Sequence, residues 1–416
     1  MESRASGRRL RLLVADMSVT RASPAGSCVL AEVQGLCEEF DVQVVSSRLD
    51  APEGPGLTLR QVALPERPVL LRYLVFQLFA RWEIKKAIAA VRPALVQATQ
   101  GQFVGADVCY AHFCHRAYLA NAWRGSPVRG LRRLGRWLTH AFNANRERAA
   151  FLRARRIVVP SAGLARELRA QYEGIGDKIE VIANPVDVAR FARPPDFDRS
   201  AMRARCGLKA GQRVLCFMAL GDFSRKGLGL VLEAIACLER AARDRAGLLI
   251  VGGQPGEIEE ARRQARHCGV ETGVHFTGMQ SDVRPFLWCA DAFVLPSAYE
   301  TFSLATFQAA AAGLPIFIAR DLYGAEDLLV EGQNGWFVER DVQGVRTAME
   351  RFIALSEECL GGMSQQAQAS VKNYDTEHFR RNWLRLYKEL LAPSEDPNEK
   401  PENRTADRTA PAPDPT

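Results

Sequence analysis

Short apolar runs alternate with helix-period patterns along this chain, and the alternation occurs twice. Strand-like runs fall at 10–15, 42–45, 94–98, 108–111, 157–159 and 179–182 in the first half. In the second half they fall at 214–218, 248–251, 274–276, 293–295, 316–318 and 336–338. Strands separated by helices belong to a parallel sheet, because each parallel strand needs a crossover to bring the chain back.

Two such series in 416 residues imply two Rossmann-like, doubly wound α/β domains, since a single core stops growing at about 250–300 residues. The stretch ANPVDVARFARPPDFDRS joins turn residues to a Pro-Pro pair, which puts the boundary between a first domain at 1–190 and a second at 191–375. Phe379, Trp383, Leu386 and Leu390 recur at helical spacing and predict a helix at 376–392. The tail 393–416 has almost no apolar content and is expected to be disordered.

Ten cysteines without a CxxC pair read as reduced, mostly buried thiols. His112, Cys114 and His115 lack a second ligand group at zinc spacing, so no metal site is expected. The start, MESRASGRRLRLLVAD, has no signal-peptide apolar region, and a cytoplasmic protein is expected. The most apolar run, 69–82, is interrupted by Arg72 and falls short of the roughly 20 residues that span a bilayer. Surface contact with a membrane stays open.

The segment AFVLPSAYETFSLATFQAAAAGLP carries the chemistry. A strand breaks at Pro296 and Ser297, a carboxylate follows at Glu300, and a helix runs on to a stop at Gly313 and Pro315. Unpaired amides at a helix start attract phosphate, so an acid beside them points to chemistry on a group that a phosphate carries. The pattern resembles the E-x(7)-E region of the retaining family 4 glycosyltransferases. Here it reads Glu300, seven residues, then Gln308, with Thr301 and Ser303 at two family glycine positions.

The likeness covers most of residues 10–340. In FMALGDFSRKGLGLVLEAI a strand ends at Gly221, and Arg225 and Lys226 precede a helix, a form similar to that of lipopolysaccharide core glycosyltransferases. LLIVGGQP brings a strand into Gly252 and Gly253, and the segment with Phe276, Gly278 and Asp291 resembles the one lining the family's base pocket. Gly324, Glu326 and Gly335 complete the order. In the first half, a strand ending in His112 matches the position of a histidine set against the transferred sugar, and Gly26 stands where a phosphate-facing Gly-Gly loop is usual.

The resemblance implies the GT-B fold, α/β with its two domains facing a central cleft, and a metal-independent transferase that needs no cofactor. Glu300 would orient the donor sugar, Arg225 and Lys226 would neutralise the diphosphate, the backbone of Phe302, Ser303 and Leu304 would cap a phosphate, and Gln308 would bond the ribose. Gly221, Gly253 and Gly278 would let backbone approach the donor. The implied partners are a UDP- or GDP-sugar and a sugar or lipid-linked acceptor in glycolipid, lipopolysaccharide or exopolysaccharide synthesis. The changed positions also fit a decayed, nucleotide-sugar-binding subunit.

Residues 124–156 carry ten Arg against Glu147, with Leu131, Leu134, Trp137 and Leu138 at helical spacing. This is either an amphipathic helix on the anionic inner face of a membrane or a core-packed helix with a solvated basic face. Because the basic residues cluster there without interleaved aromatic recognition residues, nucleic acid is not expected as a partner. Neither G-x-G-x-x-G after a strand nor a P-loop occurs.

Overall fold

The computed structural model describes residues 9–65, 69–121, 123, 130–320 and 322–392. The tail 393–416 lies outside the described residues. The chain divides into two compact units, and the second begins at Val186, after Pro185. That is five residues before the expected boundary, because the Val186 N–H bonds the Tyr374 carbonyl at 2.8 Å and ties the segment to the second unit. The described residues from Thr376 to Ala392 belong to the first unit.

The first unit holds β1 (Arg11–Ala15), β2 (Asp41–Ser46), β3 (Leu57–Gln61), β4 (Leu95–Thr99), β5 (Val108–Tyr110), β6 (Arg156–Val159) and β7 (Ile179–Val181). Their order is β3-β2-β1-β4-β5-β6-β7, all parallel. The sequence reading lacks β3. Its LTLRQ buries only Leu57, as befits an edge strand whose apolar content is low. The Thr376–Leu391 helix covers part of this sheet. Trp383 is fully buried with its ring centroid 4.9 Å from that of Tyr110. The Tyr387 hydroxyl reaches Glu32 Oε1 at 3.2 Å and also meets the Gln97 amide oxygen. Burial pushes the Glu32 carboxyl up to about 8, so it is protonated at neutral pH and spares the core a charge.

The second unit holds β8 (Arg213–Ala219), β9 (Ala246–Gly252), β10 (Val274–Gly278), β11 (Ala292–Leu295), β12 (Ile316–Ala319) and β13 (Gly335–Val338). The order is β10-β9-β8-β11-β12-β13, again all parallel. Every residue of β8, β9 and β11 is buried, which is why these strands read as continuous apolar runs. The chain winds outward from β8 in one direction and resumes at β11 in the other. Between these two strands the crossovers diverge, leaving a crevice at their carboxyl ends, where ligands bind in open α/β sheets.

Candidate active site

The residues following β8 and β11 meet at that crevice. After β8 the chain turns through Gly221 and Asp222 into the short Phe223–Lys226 helix, which ends at Gly227 with φ +81°. After β11 it passes Pro296 to Ser303 and enters the Leu304–Ala311 helix. Gly227 is obligatory twice over, since its φ is left-handed and a Cβ there would lie 2.3 Å from the Pro296 carbonyl oxygen. The loops are stitched by the Ala298 N–H, which donates to the Arg225 carbonyl at 2.8 Å.

This stitching brings three donors onto one carboxylate oxygen. Lys226 Nζ donates to Glu300 Oε1, Arg225 Nη1 approaches it at 3.4 Å, and Ser297 Oγ donates to it at 3.0 Å. Arg225 is aimed by its Nε bond to Asp222 Oδ2 at 2.8 Å and by a bond from Nη1 to the Tyr299 carbonyl. Glu300 is only 9% exposed. Asp222 is one of three non-glycine residues at positive φ among the described residues. Such strain persists only where the surroundings enforce it, and here Glu257 Oε1 accepts both the Asp222 and the Phe223 N–H.

The structure thus brings Glu300, Arg225 and Lys226 together. Ser297, Asp222 and Glu257 were missed by the sequence reading. The available signal for Ser297 was its place at the strand break, three residues before the acid and so within local reach of it. At the start of the Leu304–Ala311 helix, Phe302 turns inward and stacks on Phe307 with centroids 4.2 Å apart. Ser303 Oγ accepts from the Thr306 hydroxyl at 2.9 Å. Leu304 and Gln308 are both partly exposed, one turn apart on one side of the helix.

The glycines divide. A Cβ on Gly253 would sit 2.2 Å from the Phe223 ring, and one on Gly221 would sit 2.9 Å from Glu257 Oε2. Both therefore have a packing reason to be glycine next to the cluster. Gly278 ends the edge strand β10, two strands from β8, at an irregularity in the ladder. Asp291 serves the other end of the sheet: it accepts from Arg203 at 2.6 Å and from the Val214 N–H at 2.7 Å, at the start of β8.

In the first unit, Gly26 lies in the first turn of the Pro24–Leu36 helix, where a Cβ would be 2.2 Å from the Ser18 carbonyl oxygen. His112 follows β5, with its ring centroid 4.0 Å from that of Tyr110. Burial lowers its pKa to about 3, so the imidazole is neutral and can donate or accept one hydrogen bond. His115 Nδ1 lies 2.8 Å from His140 Nδ1. Beneath it the buried Glu147 accepts the His115 backbone N–H at 3.1 Å and the Tyr172 hydroxyl at 3.0 Å. Among the described residues, no group of three or more His, Cys, Asp and Glu is placed to hold a metal ion.

Two family profiles match the chain. That described as "Glycosyltransferase Family 4" covers residues 25–190, and that described as "Glycosyl transferases group 1" covers residues 211–354. The chain belongs to glycosyltransferase family 4. It is 32% identical over 200 residues to the lipopolysaccharide core biosynthesis glycosyltransferase LpsE of Rhizobium meliloti, covering 48% of this chain and 54% of that one. It is 29% identical over 211 residues to a D-inositol 3-phosphate glycosyltransferase of Jonesia denitrificans, covering 47% and 49%. The chain spans about half the length of the curated relatives it matches.

Among solved structures, WaaG, a glycosyltransferase involved in lipopolysaccharide biosynthesis, superposes with a TM-score of 0.72 at 17% identity, covering 92% of this chain and all of that one. HepE of Anabaena in complex with UDP and glucose gives 0.69 at 18% identity, covering 92% and 100%. Each of the two units is a parallel-sheet α/β domain, and this family 4 member has the GT-B fold.

Proposed function

We propose that this chain is a retaining, metal-independent glycosyltransferase that moves a sugar from a UDP- or GDP-sugar to a hydroxyl of a glycolipid, lipopolysaccharide or exopolysaccharide acceptor. The observation that carries the reading is the convergence of Lys226, Arg225 and Ser297 on Glu300 at the crevice between β8 and β11. In this reading the arriving diphosphate draws Lys226 and Arg225 onto itself. Two preorganised cations then stabilise the charge that grows on the leaving group, an effect felt mainly in the transition state. Glu300, relieved of its cations, accepts a hydroxyl of the donor sugar and fixes its orientation. The backbone of Phe302, Ser303 and Leu304 caps a phosphate and Gln308 reaches the ribose, while Gly221, Gly253, Gly278 and Gly26 shape the donor's surroundings. Neutral His112 contacts the transferred sugar.

Asp222 is committed to Arg225 and does not serve as a second carboxylate of the kind paired in retaining hydrolases. The retaining outcome in this reading comes from departure of the diphosphate and attack of the acceptor on the same face of the sugar. We place the enzyme in the cytoplasm, with the 124–156 segment touching the inner face of an anionic membrane. Its described part, the Gly130–Arg153 helix, buries Asn143, Glu147, Ala150 and Phe151 and leaves Leu131, Leu134, Trp137 and Leu138 exposed.

The test is a thermal-shift screen of UDP-, GDP- and ADP-sugars followed by a transfer assay. A ligand at about 100 times its dissociation constant adds about 2.7 kcal/mol of stability, enough to register. If no nucleotide sugar stabilises the protein, the reading fails. Gln308, where the family has an acid, supports a second reading as a nucleotide-sugar-binding subunit, which binding without any transfer would favour.

A further inference from the structure

The helical segment 69–91 wears its apolar residues on the outside. It runs as an α-helix at Val69–Val75, a π-helical turn at Phe76–Ala80 and an α-helix at Arg81–Val91. Phe76, Ala80, Ile84 and Ala87 pack inward. Gln77 is buried too, its amide donating to the Gly101 carbonyl at 2.8 Å. Yet Leu78 is 70% exposed, Phe79 61% and Trp82 56%, and Leu71 and Leu74 continue the stripe. A fold that buries a glutamine and exposes the next leucine and phenylalanine is not arranged to maximise its own core. Contiguous apolar faces of this kind mark interaction surfaces. Leu78 and Phe79 lie within the π turn itself, and such turns concentrate at functional positions.

The charges around the stripe select its partner. The segment has four basic residues, Arg72, Arg81, Lys85 and Lys86, against one acid, Glu83. That acid is engaged by Arg60 at 2.7 Å and Lys86 at 4.0 Å. The Lys86 ammonium lies 3.0 Å over the Trp82 ring, so one amphipathic pair presents both apolar surface and positive charge. Arg81 is close enough to Arg146 of the Gly130–Arg153 helix to act on it electrostatically. That helix carries six Arg against Glu147, which is buried. Two copies of such a face would repel each other, whereas an anionic lipid surface takes up both the charge and the apolar side chains. Among the described residues no helix is long and apolar enough to cross a membrane, which leaves docking in the interfacial plane.

We propose that the outer face of segment 69–91, centred on Leu78, Phe79 and Trp82, is a docking surface that inserts shallowly into an anionic bilayer. It deepens the membrane contact suggested above and stands apart from the donor reading, because it involves no residue of the Glu300 cluster. The experiment is flotation of the full chain with phosphatidylcholine vesicles, with and without phosphatidylglycerol, at low and high salt. The wild type is expected to float with the anionic vesicles and to be weakened by salt. Phe79→Asp and Leu78→Asp should each reduce the bound fraction's partition coefficient roughly 10-fold or more, the scale of forfeiting one buried apolar side chain. Since both positions are exposed, circular dichroism and the nucleotide-sugar thermal shift should not change, which separates loss of docking from loss of fold or of donor binding. Arg133→Glu with Arg136→Glu serves as the comparison. The proposal is overturned if the wild type ignores anionic vesicles, or if Phe79→Asp and Leu78→Asp float like wild type while the double Arg variant does not. It is equally overturned if wild type self-associates through this face, with Phe79→Asp monomeric and neither binding lipid.

Discussion

The ammonium of Lys226 bonds the carboxylate of Glu300 across 74 residues of sequence, and that contact joins the loops that follow β8 and β11. The pair is largely buried, with side chains 16% and 10% exposed. Breaking a buried pair by removing one partner leaves the other charge uncompensated. Glu300 therefore holds the cluster together, and Glu300→Gln, which keeps an acceptor for Ser297, is the informative substitution in place of alanine. For Lys226→Ala we expect a 100- to 1,000-fold fall in turnover, roughly the effect of deleting one preorganised donor at a developing anion. Steady-state kinetics with varied donor checks this. A change confined to acceptor affinity would remove Lys226 from the diphosphate.

Ser297 Oγ donates to Glu300 Oε1 at 3.0 Å, and in the proposed reading it positions that carboxylate for the donor. Deleting a hydrogen bond to a charged group costs about 1.5–3 kcal/mol. Ser297→Ala should therefore lower turnover roughly tenfold or more while the donor's KM changes little, and Ser297→Thr should restore most of it. Equal loss in both variants would indicate a packing role only.

Gln308 lies one turn beyond Leu304, and its side chain leans toward the helix start. A neutral amide still offers an acceptor oxygen to a ribose hydroxyl and loses only the charge, so Gln308→Glu should tighten donor binding by about 1 kcal/mol. Gln308→Ala should raise the donor's KM more than it lowers turnover. An inert wild type beside an active Gln308→Glu variant would make this chain a decayed transferase.

His112 predicts a pH dependence of stability. Its folded pKa is lowered to about 3 from 6.5 by burial. Below pH 6.5 the unfolded chain therefore takes up a proton that the folded chain refuses. Its contribution to stability is complete above that pH and is lost as pH falls, by about 1.4 kcal/mol per pH unit, until the folded pKa is reached. Urea titrations between pH 6 and pH 4 should show a slope shallower by about that amount in His112→Asn. An unchanged slope would mean that His112 is protonated in the folded protein.

Much of the local structure is legible in the sequence. Its apolar runs pointed to two parallel sheets, because strands buried on both faces must be continuously apolar, and Gly313 marked where a helix ends. It also put Glu300, Arg225, Lys226 and the Leu304–Ala311 helix start at strand exits, as the backbone pattern requires. It could not pair them. The meeting of Lys226 with Glu300 depends on β8 and β11 being neighbours, which arises from crossovers and not from any local period. Gly253 looked like room for a ligand, and only packing assigned that space to the Phe223 ring. Strand β3 escaped notice because an edge strand needs little apolar content. The segment 69–91 shows the same limit from the other side: its apolar run was plain in the sequence, but which face it turns to solvent is set by the tertiary packing of Phe76, Ala80, Ile84 and Ala87 and by Gln77 bonding inward to Gly101.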